Sequence, residues 1–211
     1  QPPKPVRQTN ARIDARARPM QAALRQWMLK AARIEAQRAV RSMTGVVHKA
    51  AGDDIEQELI DILMKFGVAQ AMDGAGVGAS TEGLKGIIDP QALRDAIRSK
   101  EFRIKLFDEW LAGAERRAGR ISEETKNMVR DSVKAILAGA ADEVPRPSAG
   151  EIARRIRNQF HGAEDGRVYA FSPERAAVIA RTELAQAENT GINASYVAAG
   201  VETIEWMAYS D

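Results

Sequence analysis

With 31 Lys/Arg against 29 Asp/Glu over 211 residues, the chain has a formal charge of +2 and enough length for one domain or two small ones with a real core. It has no Cys, which excludes disulfides, thiolate metal sites and a cysteine nucleophile, and His48 and His161 stand too far apart for metal-ligand spacing. No apolar run approaches the ~20 residues that span a bilayer, and the start lacks the apolar core of a signal peptide, so the chain reads as soluble and intracellular.

Few aromatics and much Ala favour close-packed helices over sheets. The near-neutral total hides a polarity along the chain. Residues 1–50 hold eleven Lys/Arg against two acids, whereas residues 51–110 hold seven basic and twelve acidic residues. Segregation of this kind implies an electrostatic division of labour between segments.

Three prolines among the first nine residues predict an extended arm. From Asn10 to Ala50 the composition is helical, with Pro19 marking a kink or the first turn of a second helix. Ala23, Trp27, Ala31, Ile34 and Arg38 follow 3.6 spacing and set an apolar stripe beside a basic face. Residues 1–50 therefore read as a basic, extended helical arm that packs on a partner.

A second region, 51–120, opens with Asp53-Asp54, whose charge favours a helix N-terminus. Ile55, Leu59, Ile62, Leu63, Phe66 and Ala69 form a core-facing stripe to about Met72. Residues 74–86, with Gly74, Gly76 and Gly78, are predicted as a glycine-rich loop. They are not a phosphate loop, which needs Gly-Lys-Ser/Thr at a helix start, nor a dinucleotide fingerprint, which needs a preceding strand. Asp89-Pro90 starts a helix to about Lys100, and Phe102, Leu106, Trp110 and Leu111 continue a helical pattern to near Gly119.

The third region, 121–211, begins with a cap at Ser122-Glu123-Glu124 and a helix with Met128, Val129, Val133, Ile136 and Leu137 inward. Pro145-Arg146-Pro147 interrupts it. Ser148-Ala149-Gly150-Glu151 is a capping box for a short helix to about Phe160, carrying Arg154, Arg155 and Arg157 as solvated surface. Ser172 and Pro173 then start a long helix with Ala176, Ile179, Ala180, Ala187 and Tyr196 expected inside, and Gly200 is placed as its left-handed C-terminal cap. Residues 201–209 alternate apolar and polar and read as a strand. The fold class is mainly α: an extended N-terminal helical arm plus a compact helical domain ending in a short β-strand or hairpin.

That last helix and strand carry the most distinctive pattern in the chain. It runs Arg175-Ala176, two residues, Ile179-Ala180-Arg181-Thr182-Glu183, then Ala187, Asn189, Gly191, Tyr196, Gly200 and Trp206. The run resembles the phage head morphogenesis family, minor head proteins similar to the F protein of phage Mu. More loosely the likeness reaches back to about Ser122, so it covers about residues 122–211. The resemblance implies a non-enzymatic minor capsid protein of a tailed phage or phage-like particle. Such a protein is present in several copies at the capsid interior or portal vertex, and in the host cytoplasm during assembly. It implies binding to the portal protein or the major capsid protein, with double-stranded DNA as a further partner, during head assembly and genome delivery. No cofactor and no metal are expected, and composition gives no sign of a membrane span. Members of the family continue past the strand into a segment with Cys and His. This sequence stops at Asp211 and opens on Gln1-Pro2-Pro3, which leads us to expect a shortened or processed chain.

Within the motif, Glu183 could act as a general acid or base with Glu188 and Arg181 as partners. The sequence supplies no nucleophile, metal set or second catalytic carboxylate on another element. The structural reading is stronger: Arg181 and Glu183 lie two apart on a helix and so tie it to different neighbours. Asn189 and Asn193 are expected to anchor a loop or cap the helix. Lys4, Arg7, Arg12, Arg16, Arg18, Arg25, Arg33, Arg38 and Arg41 are the candidate partner-binding residues. Together they could neutralise phosphates with counterion release, pair with carboxylates of an acidic protein, or simply form a solvated face. Trp27 is the only aromatic among them, which argues against stacking on single strands. Two alternatives stay open: a helical DNA-binding or packaging protein, and the non-catalytic part of a larger phage-derived enzyme or toxin.

Overall fold

The computed structural model describes residues 4–44, 53–80, 89–161 and 172–201. Among them are six helices and no strand: α1 (Lys4–Thr44), α2 (Asp53–Ala79), α3 (Pro90–Arg98), α4 (Lys100–Ala141), α5 (Ala149–His161) and α6 (Pro173–Ala198). The strand predicted over 201–209 lies, after Val201, outside the described residues, and so does Trp206.

Local capping chemistry sets several helix ends. The Asp89 carboxylate accepts from the Gln91 N–H at 2.9 Å, with Pro90 at the first helical position of α3. Ser99 then ends α3 and starts α4, its hydroxyl accepting from the Phe102 N–H at 3.1 Å. At α5 the capping box is reciprocal: Ser148 Oγ accepts from Glu151 N–H at 3.3 Å, and the Ser148 N–H donates to Glu151 Oε2 at 2.7 Å. Those bonds from the Ser148 backbone and hydroxyl hold the Glu151 carboxyl below the usual carboxylate range. Ser172 caps α6 by accepting from Arg175 N–H at 3.1 Å. Gly200, at φ 73°, closes the other end of α6. Gly200 N–H reaches the Val197 carbonyl and Val201 N–H the Tyr196 carbonyl, both at 3.0 Å, the paired bonds of a Schellman motif.

Three sequence expectations are corrected. The first residues are helical from Lys4 onward rather than an extended arm, because Pro5 falls in the first turn, where a missing N–H costs nothing. Pro19 neither ends nor restarts α1. It lies with Ala15 on the solvent side, so the carbonyl it leaves without a partner faces water, while Ala17, Met20 and Leu24 beside it are buried. Gly119 and Ser122 do not break the next element. Ala114, Ala118, Ile121, Thr125, Val129 and Val133 make one continuous buried stripe along α4. Ser122 is itself buried, and the Thr125 hydroxyl donates back to the Ile121 carbonyl at 2.7 Å.

The chain divides into two compact units, Gln1–Leu63 with Ala114–Thr182 and Met64–Gly113 with Glu183–Asp211. The boundaries fall inside α2, α4 and α6, so the units do not follow the three consecutive regions read from the sequence. In the first unit α1 packs on α5. It buries Met20, Leu24, Trp27, Met28, Ala31 and Ala32, while Ala23, Ile34 and Arg38 of the predicted stripe are only half-buried. The Trp27 indole N–H donates to the Ile55 carbonyl of α2 at 2.7 Å, satisfying the one polar atom that its burial would strand. Gln21 Nε2 donates to the Pro173 carbonyl at 3.0 Å, tying α1 to the start of α6.

The second unit overturns the glycine-rich loop. α2 continues through Gly74, Gly76 and Gly78 to Ala79. A Cβ on Gly74 would collide with the Glu188 carbonyl of α6, one on Gly191 with the Ala71 carbonyl, and one on Gly78 with the Ser195 side chain. The glycines let two helix backbones meet. On α2 and around it, Ala71 packs with Leu106, Trp110 and Ala187, and Ala75 with Leu93, Ile97 and Ala199. Gly83 and Gly86 of the predicted loop lie outside the described residues.

Gly76 has nothing within 4 Å of a built Cβ, unlike Gly74. Gly76→Ala should therefore stabilise by about 0.4–1 kcal/mol through helix propensity. Gly74→Ala should destabilise by roughly 1–3 kcal/mol through overpacking. Urea unfolding of both variants checks this, and equal effects would return the segment to a loop. A second test concerns pH. The depressed Glu151 carboxyl contributes stability above its unfolded pKa of about 4.3 that is lost as pH falls through its lower folded value. Amide signals of Ser148 and Glu151 should shift together at a pH below that at which an ordinary Glu titrates, and Glu151→Gln should abolish that coupled shift.

Candidate functional site

Arg175, the first residue of the motif, stands in the first turn of a capped helix and is 5% exposed. A buried guanidinium demands partners. Its Nη1 donates to Thr125 Oγ1 of α4 at 3.0 Å, and its Nη2 lies 3.7 Å from Glu124 Oε2. Thr125 passes the bond on to the Ile121 carbonyl. The arginine thus ties the start of α6 to the middle of α4 inside the first unit.

The Arg181-Thr182-Glu183 triplet splits between solvent and interior. Arg181 Nη2 pairs with Asp14 Oδ1 of α1 at 3.3 Å, but the two side chains are 67% and 60% exposed. Thr182 is exposed, whereas Glu183 is 2% exposed. Helical spacing explains the split, because residues two apart point to different faces. Five residues on, Glu188 is 1% exposed and its Oε2 accepts from Gln70 Nε2 of α2 at 2.9 Å. That bond sits where Gly74 and Gly191 bring the two backbones together.

The other motif residues are placed along the same helix. Gly191 is a contact glycine, and Tyr196 is half-buried against the Ala75–Leu93–Ile97–Ala199 cluster. Gly200 is the C-terminal cap. Asn189 and Asn193 are corrected: both stand exposed in the body of α6 and neither caps it nor anchors a loop. Of the residues expected inside, Ala176, Ala180 and Ala187 are fully buried, while Ile179 is half-buried. Leu184, which the pattern reading overlooked, is fully buried and follows Ala180 by one turn.

The basic candidates separate as well. Arg18, Arg33 and Arg41 are exposed, on the solvent stripe of α1 that also carries Gln26, Lys30 and Gln37. Arg16 and Arg25 are half-buried, and Arg38 bonds Glu35 Oε2 at 3.1 Å. Lys4 and Arg7 lie in the first turns of α1 and Arg12 follows them. Sequence reasoning missed Glu35 as a hub. Its carboxylate, 11% exposed, also accepts from Arg130 Nε of α4 at 2.9 Å, and Arg130 bonds Glu123 at 3.0 Å. The one signal was an acid isolated in a basic helix. A cleft of about 410 Å³ opens beside it, lined by Ala31, Ile34, Arg38, Ile55, Glu56 and Lys126 among others. Its Arg38 and Lys126 are held by Glu35 and Glu123. On α5, Arg155 forms a two-pronged pair with Glu143, and Arg154 is exposed.

No group of three or more His, Asp or Glu side chains among the described residues could hold a metal ion. No helix among them is long and apolar enough to cross a membrane. No family model, curated protein or solved structure matches the chain.

The placement of the motif predicts a steep gradient across adjacent residues. Arg175→Met, which keeps most of the volume, should cost about 2–3 kcal/mol by removing the donor to buried Thr125 Oγ1 and so losing a charged hydrogen bond. Arg181→Ala should cost no more than about 1 kcal/mol, as exposed pairs do. Thr182→Ala should stay within about 0.5 kcal/mol. Thermal or urea unfolding of the three variants reads the gradient, and a flat response would remove the structural role assigned to Arg175.

Proposed function

We propose that this chain is a non-enzymatic minor capsid protein of the phage head morphogenesis kind, acting in head assembly and genome delivery of a tailed phage or phage-like particle. The observation that carries the reading is the use made of the motif in α6. Arg175 and Glu188, two of its buried charges, are bonded to Thr125 and Gln70. Glu183 and Glu188 are at most 2% exposed, a placement that suits carboxylates spent on holding the helix. A helix so employed is a scaffold, and its outward residues are left for contact with other proteins.

The exposed stripe of α1 supports a partner of opposite sign. Arg18 and Arg41 lie 23 residues apart. At a rise of 1.5 Å per residue their span is about 35 Å. Phosphates of double-stranded DNA or an acidic face of the portal or major capsid protein would both suit it. The alternative of a DNA-binding or packaging protein rests on this stripe alone.

Two measurements test the proposal. Particles assembled with the cognate portal and major capsid proteins should contain it in several copies, with crosslinks to the portal or capsid. Its absence from such particles would sink the reading. Duplex binding by the free chain should weaken with salt at a slope of about 0.9 log units per phosphate contact, or about 2.7 for the three arginines. Arg18→Glu, Arg33→Glu and Arg41→Glu together should flatten that slope. A triple variant that neither loses DNA nor leaves the particle would show that α1 is not the contact surface.

A further inference from the structure

The second unit carries a groove of about 260 Å³ between α4 and α6, with Phe102, Leu106, Ala194 and Val197 as its apolar walls. Leu106 is buried at its floor, whereas Val197 is 61% exposed. Lys105 and Glu109 stand along the α4 side of the groove, both exposed and neither joined to an ion partner among the described residues. They are one turn apart with the lysine N-terminal to the glutamate, the less favourable orientation for a pair within one helix. Two opposite, exposed charges beside an apolar groove are complementary to a partner with the same two charges in reverse order.

We propose that this partner is a second copy of the chain, joined across a two-fold axis that sets the two α4 helices antiparallel at the level of residue 107. In that register residue 105 of one copy faces residue 109 of the other. Lys105 and Glu109 then form two symmetric ion pairs, as an isologous interface requires. The same register sets half-buried Phe102 opposite exposed Ala112, a bulky side chain against a small one. The second copy covers the groove and the exposed Val197. This surface is independent of the basic stripe on α1 and of the head-protein reading.

Charge reversal decides the matter. Sedimentation velocity of the full chain should show a monomer–dimer equilibrium in the micromolar range usual for a small interface. Lys105→Glu or Glu109→Lys alone puts like charges opposite each other twice and should raise the dissociation constant at least about tenfold. The double variant restores opposite charges and should return it to within about threefold of the original. Both positions are exposed, so circular dichroism should be unchanged throughout. A chain that stays monomeric up to about 200 μM, or a dimer indifferent to both single reversals, would overturn the proposal. In the first case the groove belongs to a different protein, and in the second the copies meet elsewhere.

Discussion

Everything in the second unit depends on the absence of side chains where α2 and α6 touch. At Gly74 and Gly191 a single methyl group would run into a backbone carbonyl of the facing helix. Contacts this close fix both separation and register, because sliding either helix by one residue would put a side chain where only hydrogen fits. The register in turn places Gln70 under Glu188, and Ala71 and Ala75 among Leu106, Trp110, Leu93 and Ile97. A buried carboxylate is costly unless bonded, so a pairing of this kind adds little net stability but penalises other alignments. Steric fit and polar pairing therefore select one arrangement together.

The first unit solves the same problem with different means. Large side chains fill it, Trp27, Met20, Leu24, Ile156 and Phe160 among them, and helix spacing is set by bulk. Specific alignment comes from polar ties between helices: Trp27 to the Ile55 carbonyl, Gln21 to the Pro173 carbonyl, Arg175 to Thr125, and Glu35 to Arg130. Each connects a different pair of helices among α1, α2, α4 and α6. Bonds of this sort contribute about 1 kcal/mol apiece net, yet leaving any partner unmet costs more than that. A wrong packing of these helices would leave several polar groups unmet at once.

What could be read from the sequence follows the range of the forces involved. The caps at Asp89, Ser148, Ser172 and Gly200 were legible because each is closed by bonds within a few residues. The glycines at 74 and 78 were not, since their low helix propensity argues for a loop and only the facing helix overrides it. Ser122 misled for a related reason: it looks like a cap followed by acids, but its neighbours Ile121 and Thr125 extend a stripe already running from Ala114. In the candidate site, spacing foretold that Arg181 and Glu183 would face apart, though not which would be buried. Arg130 gave no signal at all, because its partner Glu35 lies 95 residues away.

The motif helix brings these strands of argument together. Its inner face, Ala176, Ala180, Glu183, Leu184, Ala187, Glu188, Gly191 and Ser195, is committed to the fold. Its outer face carries the exposed polar residues Arg181, Thr182, Gln186, Asn189 and Asn193 beside the exposed Val178 and Val197. Arg181 is tied to α1 through Asp14, and that tie is itself solvated. A helix that merely closed a core would need no particular residues on that outer side. One that also meets a partner needs hydrogen-bonding groups which do not compete with the interior for bonds, and uncharged amides and hydroxyls serve that end. The same stretch of sequence can thus hold its fold through one face and offer recognition through the other. Substitutions on the two faces would then separate stability from binding, a distinction that the linear pattern of residues conceals.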